Sequence, residues 1–156
     1  MISPLSIKVI GTVFLIALAF LPPKPDTISR AVEERESSTL NEIMDSPVKR
    51  AHVICQYANR NAVENLGFNS RDIYSIDNNY MAWETETAIG VIFEDEEKEP
   101  VLEYFSPTRI NACPGNNDVQ ESYLELNPDQ PISVGKEKQN FARYGEVEVK
   151  VLSYRE

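Results

Sequence analysis

The only histidine of the chain, His52, stands three residues before Cys55, and a Cys–His pair is the smallest set of side chains that could supply a thiolate nucleophile with its own base. On a helix that spacing places the two one turn apart. The sequence around them offers no helix amino terminus and no glycine-rich turn to stabilise an oxyanion, so a surface or boundary histidine is the expectation. A second candidate is the pair Glu84 and Glu86, which on a strand share one face about 7 Å apart, a separation that suits the two acids of glycoside hydrolysis. No aromatic or basic residue stands between them, and the wet face of a strand has the same pattern. Asp77-Asn78-Asn79 and Asn116-Asn117-Asp118 carry oxygen donors suited to calcium, but neither continues into the glycine-at-six, glutamate-at-twelve loop that organises such a site. Turn formation accounts for both. No GxSxG, HExxH, CxxC or phosphate-cradling glycine loop occurs. The expectation is therefore no catalytic, cofactor or metal residues, and a protein that is not an enzyme.

Cys55 and Cys113 are the only two cysteines, and one pairing is possible. In an oxidising compartment an even count invites a bridge. Closing so long a loop is worth about 4 kcal/mol in the chain-entropy account. The rival readings are an unpaired buried thiol and a metal pair of Cys55 with His52.

The compartment is argued from the start of the chain. From Val9 to Leu21 run thirteen residues without a charge or an amide side chain, preceded by Lys8. A signal-peptide core needs about 7 to 15 apolar residues behind a positive region, and a membrane-spanning helix roughly 20. Ala17-Leu18-Ala19 offers a small-x-small cleavage pattern, although Phe20 and the prolines after it suit a peptidase poorly. Residues 1–21 are thus read as a signal peptide or a single membrane anchor, with an ordinary buried helix as the third alternative. Both leading readings place the rest outside the cytoplasm, in the periplasm or extracellular space, or held at the inner membrane. No Asn-x-Ser/Thr acceptor is present, which fits a bacterial envelope better than a eukaryotic secretory route.

The formal net charge is -10, with 25 acidic against 15 basic residues. Such a surface repels nucleic-acid phosphates and anionic headgroups. No nucleic-acid partner is expected, and membrane contact only through residues 1–21.

Behind the leader, residues 22–38 read as a linker or loosely held helix, stiffened at first by Pro22, Pro23 and Pro25. Residues 39–156 read as one globular domain. Thr39-Leu40-Asn41-Glu42 is a capping-box pattern opening a short helix over 40–45. Ser46 and Pro47 then resemble the start, and Gly67 the end, of a long helix in which Ala51, Ile54, Cys55, Ala58, Ala62 and Leu66 form a narrow stripe of small side chains. Period-two alternation follows in Arg71–Ile76 and from Tyr80 to Phe93, where Met81, Trp83, Thr85, Thr87, Ile89, Val91 and Phe93 share one face and Ala82, Glu84, Glu86, Ala88 and Gly90 a wet one. Gly90 suggests a bulge. The run Glu94 to Glu99 with Pro100 makes a loop, and Val101 begins the returning strand. Two more strands are expected in VQESYLELN and EVEVKVLSY. The fold class is α+β: one long helix packed on a four- to five-stranded, mostly antiparallel sheet.

That plan is shared in outline by cystatin-like and nuclear-transport-factor-like cones and by pilin heads, without a matching motif. The expected function is a small exported accessory domain acting through contact with a protein partner in a bacterial envelope. The surfaces singled out are Glu94, Asp95, Glu96, Glu97 and Glu99 in one loop, and Pro114 and Gly115 in another. The alternatives are a small-ligand-binding cone, with a cavity between helix and sheet lined by some of the nine aromatics spread over the expected strands, and an envelope enzyme or enzyme inhibitor.

Overall fold

The structure, a computed structural model, describes residues 26–69, 72–73, 86–113 and 122–154. Residues 1–21, the expected Arg71–Ile76 strand apart from Asp72 and Ile73, the first part of the Tyr80–Phe93 run, both calcium-like turns, and Pro114 with Gly115 lie outside the described residues.

The described chain mixes short helices with two four-stranded sheets that are mostly antiparallel, as the α+β expectation requires. Its elements are α1 (Thr27–Glu34), β1 (Ser37–Ser38), α2 (Leu40–Ile43), β2 (Val48–Ile54), α3 (Arg60–Asn65), β3 (Thr87–Phe93), β4 (Val101–Phe105), β5 (Ile110–Asn111), β6 (Tyr123–Leu126), β7 (Ile132–Phe141) and β8 (Gly145–Ser153). The first sheet has the order β4–β3–β2–β6 and the second β1–β7–β8–β5. Among the described strands only β5 and β8 run parallel.

The expected long helix is not there. Val48 to Ile54 form the strand β2, hydrogen-bonded to β3 on one side and β6 on the other, and only Arg60–Asn65 of the span are helical. The physical reason lies in burial: Ala51, His52, Val53, Ile54 and Cys55 are all buried in succession, because β2 is central in a sheet covered on both faces. Such a strand reads as a continuous apolar run, and periodicity alone cannot separate it from a buried helix. The small-residue stripe has Ala51, Ile54, Cys55 and Ala58 buried, and Ala62 and Leu66 half-buried. Its carboxyl-terminal signpost holds: Gly67, at a φ of 104°, follows α3 in the left-handed region that glycine tolerates.

The strand β3 also departs from its expected single wet face. Thr87, Ile89, Val91 and Phe93 face the main core, but Ala88 lies in a second apolar cluster on the other face with Ile54, Ala58, Val63, Phe68, Ile73 and Leu102. Gly90 marks no bulge there. A Cβ at this position would come within 2.1 Å of the Phe68 ring, so glycine is needed for the close approach of that ring to the strand. The sheet's register irregularity falls instead between Val48 and Arg50.

The sheet count differs too, for β7 lies in the segment between the two expected strands VQESYLELN and EVEVKVLSY. Its middle is Lys136-Glu137-Lys138-Gln139-Asn140, too polar to signal a strand. Nevertheless it pairs with β8 from Ser133–Ser153 out to Phe141–Gly145. Cross-strand Lys136–Glu148 and Lys138–Glu146 pairs at 3.1 and 2.9 Å line this hairpin, and Gly145 at a φ of 71° closes its three-residue turn.

The segment read as linker or loosely held helix contains α1, a docked helix. Ile28 and Val32, one turn apart, are 0% and 3% exposed in the main core. Asp26 at its N-cap makes no side-chain cap. Glu103 on β4 replaces it: Oε2 accepts from the Ile28 amide at 3.0 Å, and Oε1 from the Ser29 amide and hydroxyl, each at 2.7 Å. At the other end Lys150 on β8 donates to the carbonyls of Val32 and Glu33 at 3.1 and 2.8 Å. A carboxylate at the amino end and an ammonium at the carboxyl end both complement the helix dipole. One grip comes from each sheet, so α1 ties the two together. The α2 helix begins with the expected capping box: the Glu42 amide donates to the Thr39 hydroxyl and the Thr39 amide to the Glu42 carboxylate.

Candidate functional site

The strand β3 runs between two ends of the first sheet that differ in chemistry. Its six steps, at about 3.4 Å each, separate them by roughly 20 Å. At the Phe93 end lies the acidic loop, joining β3 to β4 as the expected hairpin. At the Thr87 end lie a disulfide and a cleft.

The acidic loop is a shaped turn. The Asp95 carboxylate accepts from the Glu97 amide at 3.0 Å, and its carbonyl from the Lys98 amide at 3.1 Å. The Glu94 amide donates to the Pro47 carbonyl at 3.0 Å. Lys98 folds back: its ammonium donates to Asp45 and Ser46 and lies 4.3 Å from the centre of the Phe93 ring. That bond holds the Asp45 carboxyl below its ordinary pKa. With the one internal cation turned inward, Glu94, Asp95, Glu96, Glu97 and Glu99 remain exposed. Lys49 reaches Glu96 only at 3.8 Å between exposed side chains, a contact of little energy.

At the opposite end Cys55 and Cys113 are joined, with Cα atoms 5.7 Å apart and a separation of 58 in sequence. The bridge settles the fate of the Cys–His pair, because Cys55 holds no free thiol. The geometry separates the pair as well. On a strand, residues three apart point to opposite faces: Cys55 joins the main core, while His52 faces Phe68 and Tyr123, whose rings meet it edge-on at 6.4 Å. His52 is 4% exposed, and its Nδ1 has no hydrogen-bond partner among the described residues. Burial pushes its pKa down; Glu125 opposes that and Arg50 adds to it. The Glu84 position lies outside the described residues, and Glu86 stands just before β3. No three His, Cys, Asp or Glu side chains are grouped to hold a metal among the described residues.

Beside the bridge opens a cleft of about 180 Å³, lined by Gln56 after β2, Thr87 on β3, Pro107 and Asn111 around β5, and Gln139 and Phe141 on β7. Thr87 Oγ accepts from the Ala112 amide at 3.0 Å and Asn111 Oδ1 from the Cys113 amide at 3.1 Å. Tyr154 braces the same segment by donating from its buried hydroxyl to the Ala112 carbonyl at 2.5 Å, and burial raises its pKa.

The chain matches no known protein family, no characterised protein and no solved structure.

Function must then be argued from these two ends. The acidic loop was legible in the sequence; the cleft was not, since its lining comes from four separated segments. One signal was present: Gln56 follows Cys55 and Asn111 lies two before Cys113, so the pairing of the cysteines implies that these two amides are brought near each other. Glu103 went unnoticed because nothing in VLEYFS distinguishes a buried acid from a wet one. The expected cavity between a long helix and the sheet has no counterpart among the described residues, where that helix is replaced by β2 and α3.

Proposed function

We infer that the protein is an exported accessory domain working through contact with a protein partner, with the loop from Glu94 to Glu99 as its contact surface. The observation that carries this reading is the construction of the loop, in which Asp95 fixes the turn and Lys98 is drawn inward, so that the remaining carboxylates stand on a preformed hairpin end. A preorganised group of like charges loses little entropy on binding and steers a complementary surface toward itself. The partner is a protein with a basic patch. Export is supported by the apolar leader and by the Cys55–Cys113 bridge, a bond that persists in oxidising compartments and is rare in the cytosol.

The test is capture of the partner from membrane extracts by the full-length chain in mild detergent. Glu94→Lys, Glu96→Lys and Glu97→Lys are combined and Asp95 is left to hold the turn. Capture by the triple variant should be lost, and capture by the wild type should weaken as salt rises, because the screening length falls from about 10 Å at 0.1 M to about 3 Å at 1 M. Undiminished capture by the folded triple variant removes the loop from consideration.

A further inference from the structure

The cleft at the disulfide end carries a separate inference, independent of the acidic loop. We propose that it is a binding site for a neutral carbohydrate, taking one sugar ring at a time. Its lining decides the class. Among the described residues that line it, Gln56, Asn111 and Gln139 are amides, Thr87 is a hydroxyl, and Pro107, Ile110 and Phe141 are apolar; none of these is ionisable. A charged ligand would meet no counter-charge from these residues, and a wholly apolar one would dehydrate the amides without replacing their hydrogen bonds. A hydroxyl-rich ring with an apolar C–H face satisfies both halves. A side-chain amide carries a donor beside an acceptor, the arrangement that adjacent sugar hydroxyls complement.

The size agrees. A space of about 180 Å³ is smaller than the roughly 300 Å³ at which drug-sized pockets begin, and suits a single ring. The polar groups are also held in place. Asn111 Oδ1 and Thr87 Oγ are engaged by the amides of Cys113 and Ala112, which leaves the Asn111 NH₂ and the Thr87 hydroxyl hydrogen to donate. The Cys55–Cys113 bridge fixes the two segments that carry Gln56 and Asn111. Tyr57, next to Gln56, is 70% exposed and sits at a φ of 66°, an uncommon conformation for a bulky residue of the kind retained where a site needs it.

The experiment is a titration of the disulfide-intact, isotope-labelled full chain, followed by its amide resonances. Methyl hexopyranosides and the corresponding neutral oligosaccharides are the ligands; a hexuronate and an apolar cyclic alcohol are the controls. Saturable shifts at Gln56, Thr87, Asn111, Gln139 and Phe141 are expected with the neutral sugars, in the millimolar range for one ring. Tighter binding of the oligosaccharide would identify the end of a glycan chain as the source, and equal binding a free sugar. Gln139→Ala and Phe141→Ala, both on the outer part of the β7–β8 hairpin, should each weaken binding about tenfold, one hydrogen bond or one stacking contact, while the remaining spectrum stays as in the wild type. Reduction of the bridge should weaken it as well. The proposal is overturned if no neutral saccharide gives a saturable shift up to its solubility. Shifts mapping elsewhere, or a hexuronate or the apolar alcohol binding as well as the neutral sugars, overturn it equally.

Discussion

On one face of the β4–β3–β2–β6 sheet the buried carboxylate of Glu103 meets three donors; on the other the buried ring of His52 leaves Nδ1 with none among the described residues. Both side chains are nearly or wholly removed from solvent, at 0% and 4% exposure. They sit on the same sheet, so the difference lies in what covers each face. Over Glu103 lies α1, a helix start with amides to be satisfied, and the carboxylate is the cap that Asp26 does not provide. Over His52 lie Phe68 and Tyr123, whose rings meet it edge-on and give its Nδ1 no hydrogen bond. A buried polar group is a structural asset only where the covering element has complementary needs. The first face buries a carboxylate together with its donors; the second buries an imidazole nitrogen without a partner among the described residues, its polar contacts being the hydrogen bonds from Tyr104 and Arg60 to the Asp72 and Ile73 carbonyls.

The strongest way to break this contrast is to remove the carboxylate. Glu103→Ala leaves the Ile28 and Ser29 amides without their acceptor, opens a cavity and frees the amino end of α1 from the first sheet. The expected loss is about 3–5 kcal/mol of unfolding free energy, read from chemical denaturation. Glu103→Gln keeps one carbonyl oxygen but turns an NH₂ toward a donor, and should lose about 1–3 kcal/mol. If Glu103→Ala falls within about 1 kcal/mol of the wild type, α1 is not held by this bond and the first face is no better closed than the second.

The second face is sharpened by its tightest contact. Gly90→Ala would put a methyl group 2.1 Å from the Phe68 ring, so the ring has to move. Overpacking of this kind typically costs about 1–3 kcal/mol. The double variant with Phe68→Leu should be less destabilised than the two single changes added together, since the smaller side chain removes the clash. Strict additivity in the denaturation midpoints would show that Phe68 does not press on Gly90, and that the second face is loosely covered.

What the sequence discloses and what it conceals divide along the same line. Local chemistry was legible: the Thr39–Glu42 capping box, the left-handed Gly67, the β3–β4 hairpin around its charged loop, the strands at Tyr123–Leu126 and Gly145–Ser153, and the cysteine pair. Each depends on residues within a few positions, or on a pairing with one solution. Tertiary cover was not legible. The run Ala51–Cys55 has helical spacing in its small residues and also the unbroken burial of a central strand, and only knowledge that both sheet faces are covered chooses between them. Failure at β7 runs the other way, for its Lys, Glu and Gln residues are strand-forming only because β8 lies alongside. Glu103 and the cleft share that character, as their partners arrive from segments far away in the chain.

The smallest effect tests the orphaned ring directly. Burial, with Arg50 on the same strand and against the pull of Glu125 on the neighbouring β6, holds the His52 pKa below its ordinary 6.5. The unfolded chain therefore binds a proton that the folded chain refuses between pH 6.5 and the lower folded value, and unfolding gains from each step down in pH across that window. Stability is full above pH 6.5 and falls below it, by up to about 1.4 kcal/mol per pH unit for one group. His52→Leu should remove this component of the slope while leaving whatever the carboxylates contribute at lower pH. Paired denaturation series across that range decide the matter: parallel curves for wild type and variant would mean that the imidazole titrates normally in the folded protein. In that case the second face admits water or a charge where the geometry has only rings, and the contrast with Glu103 disappears.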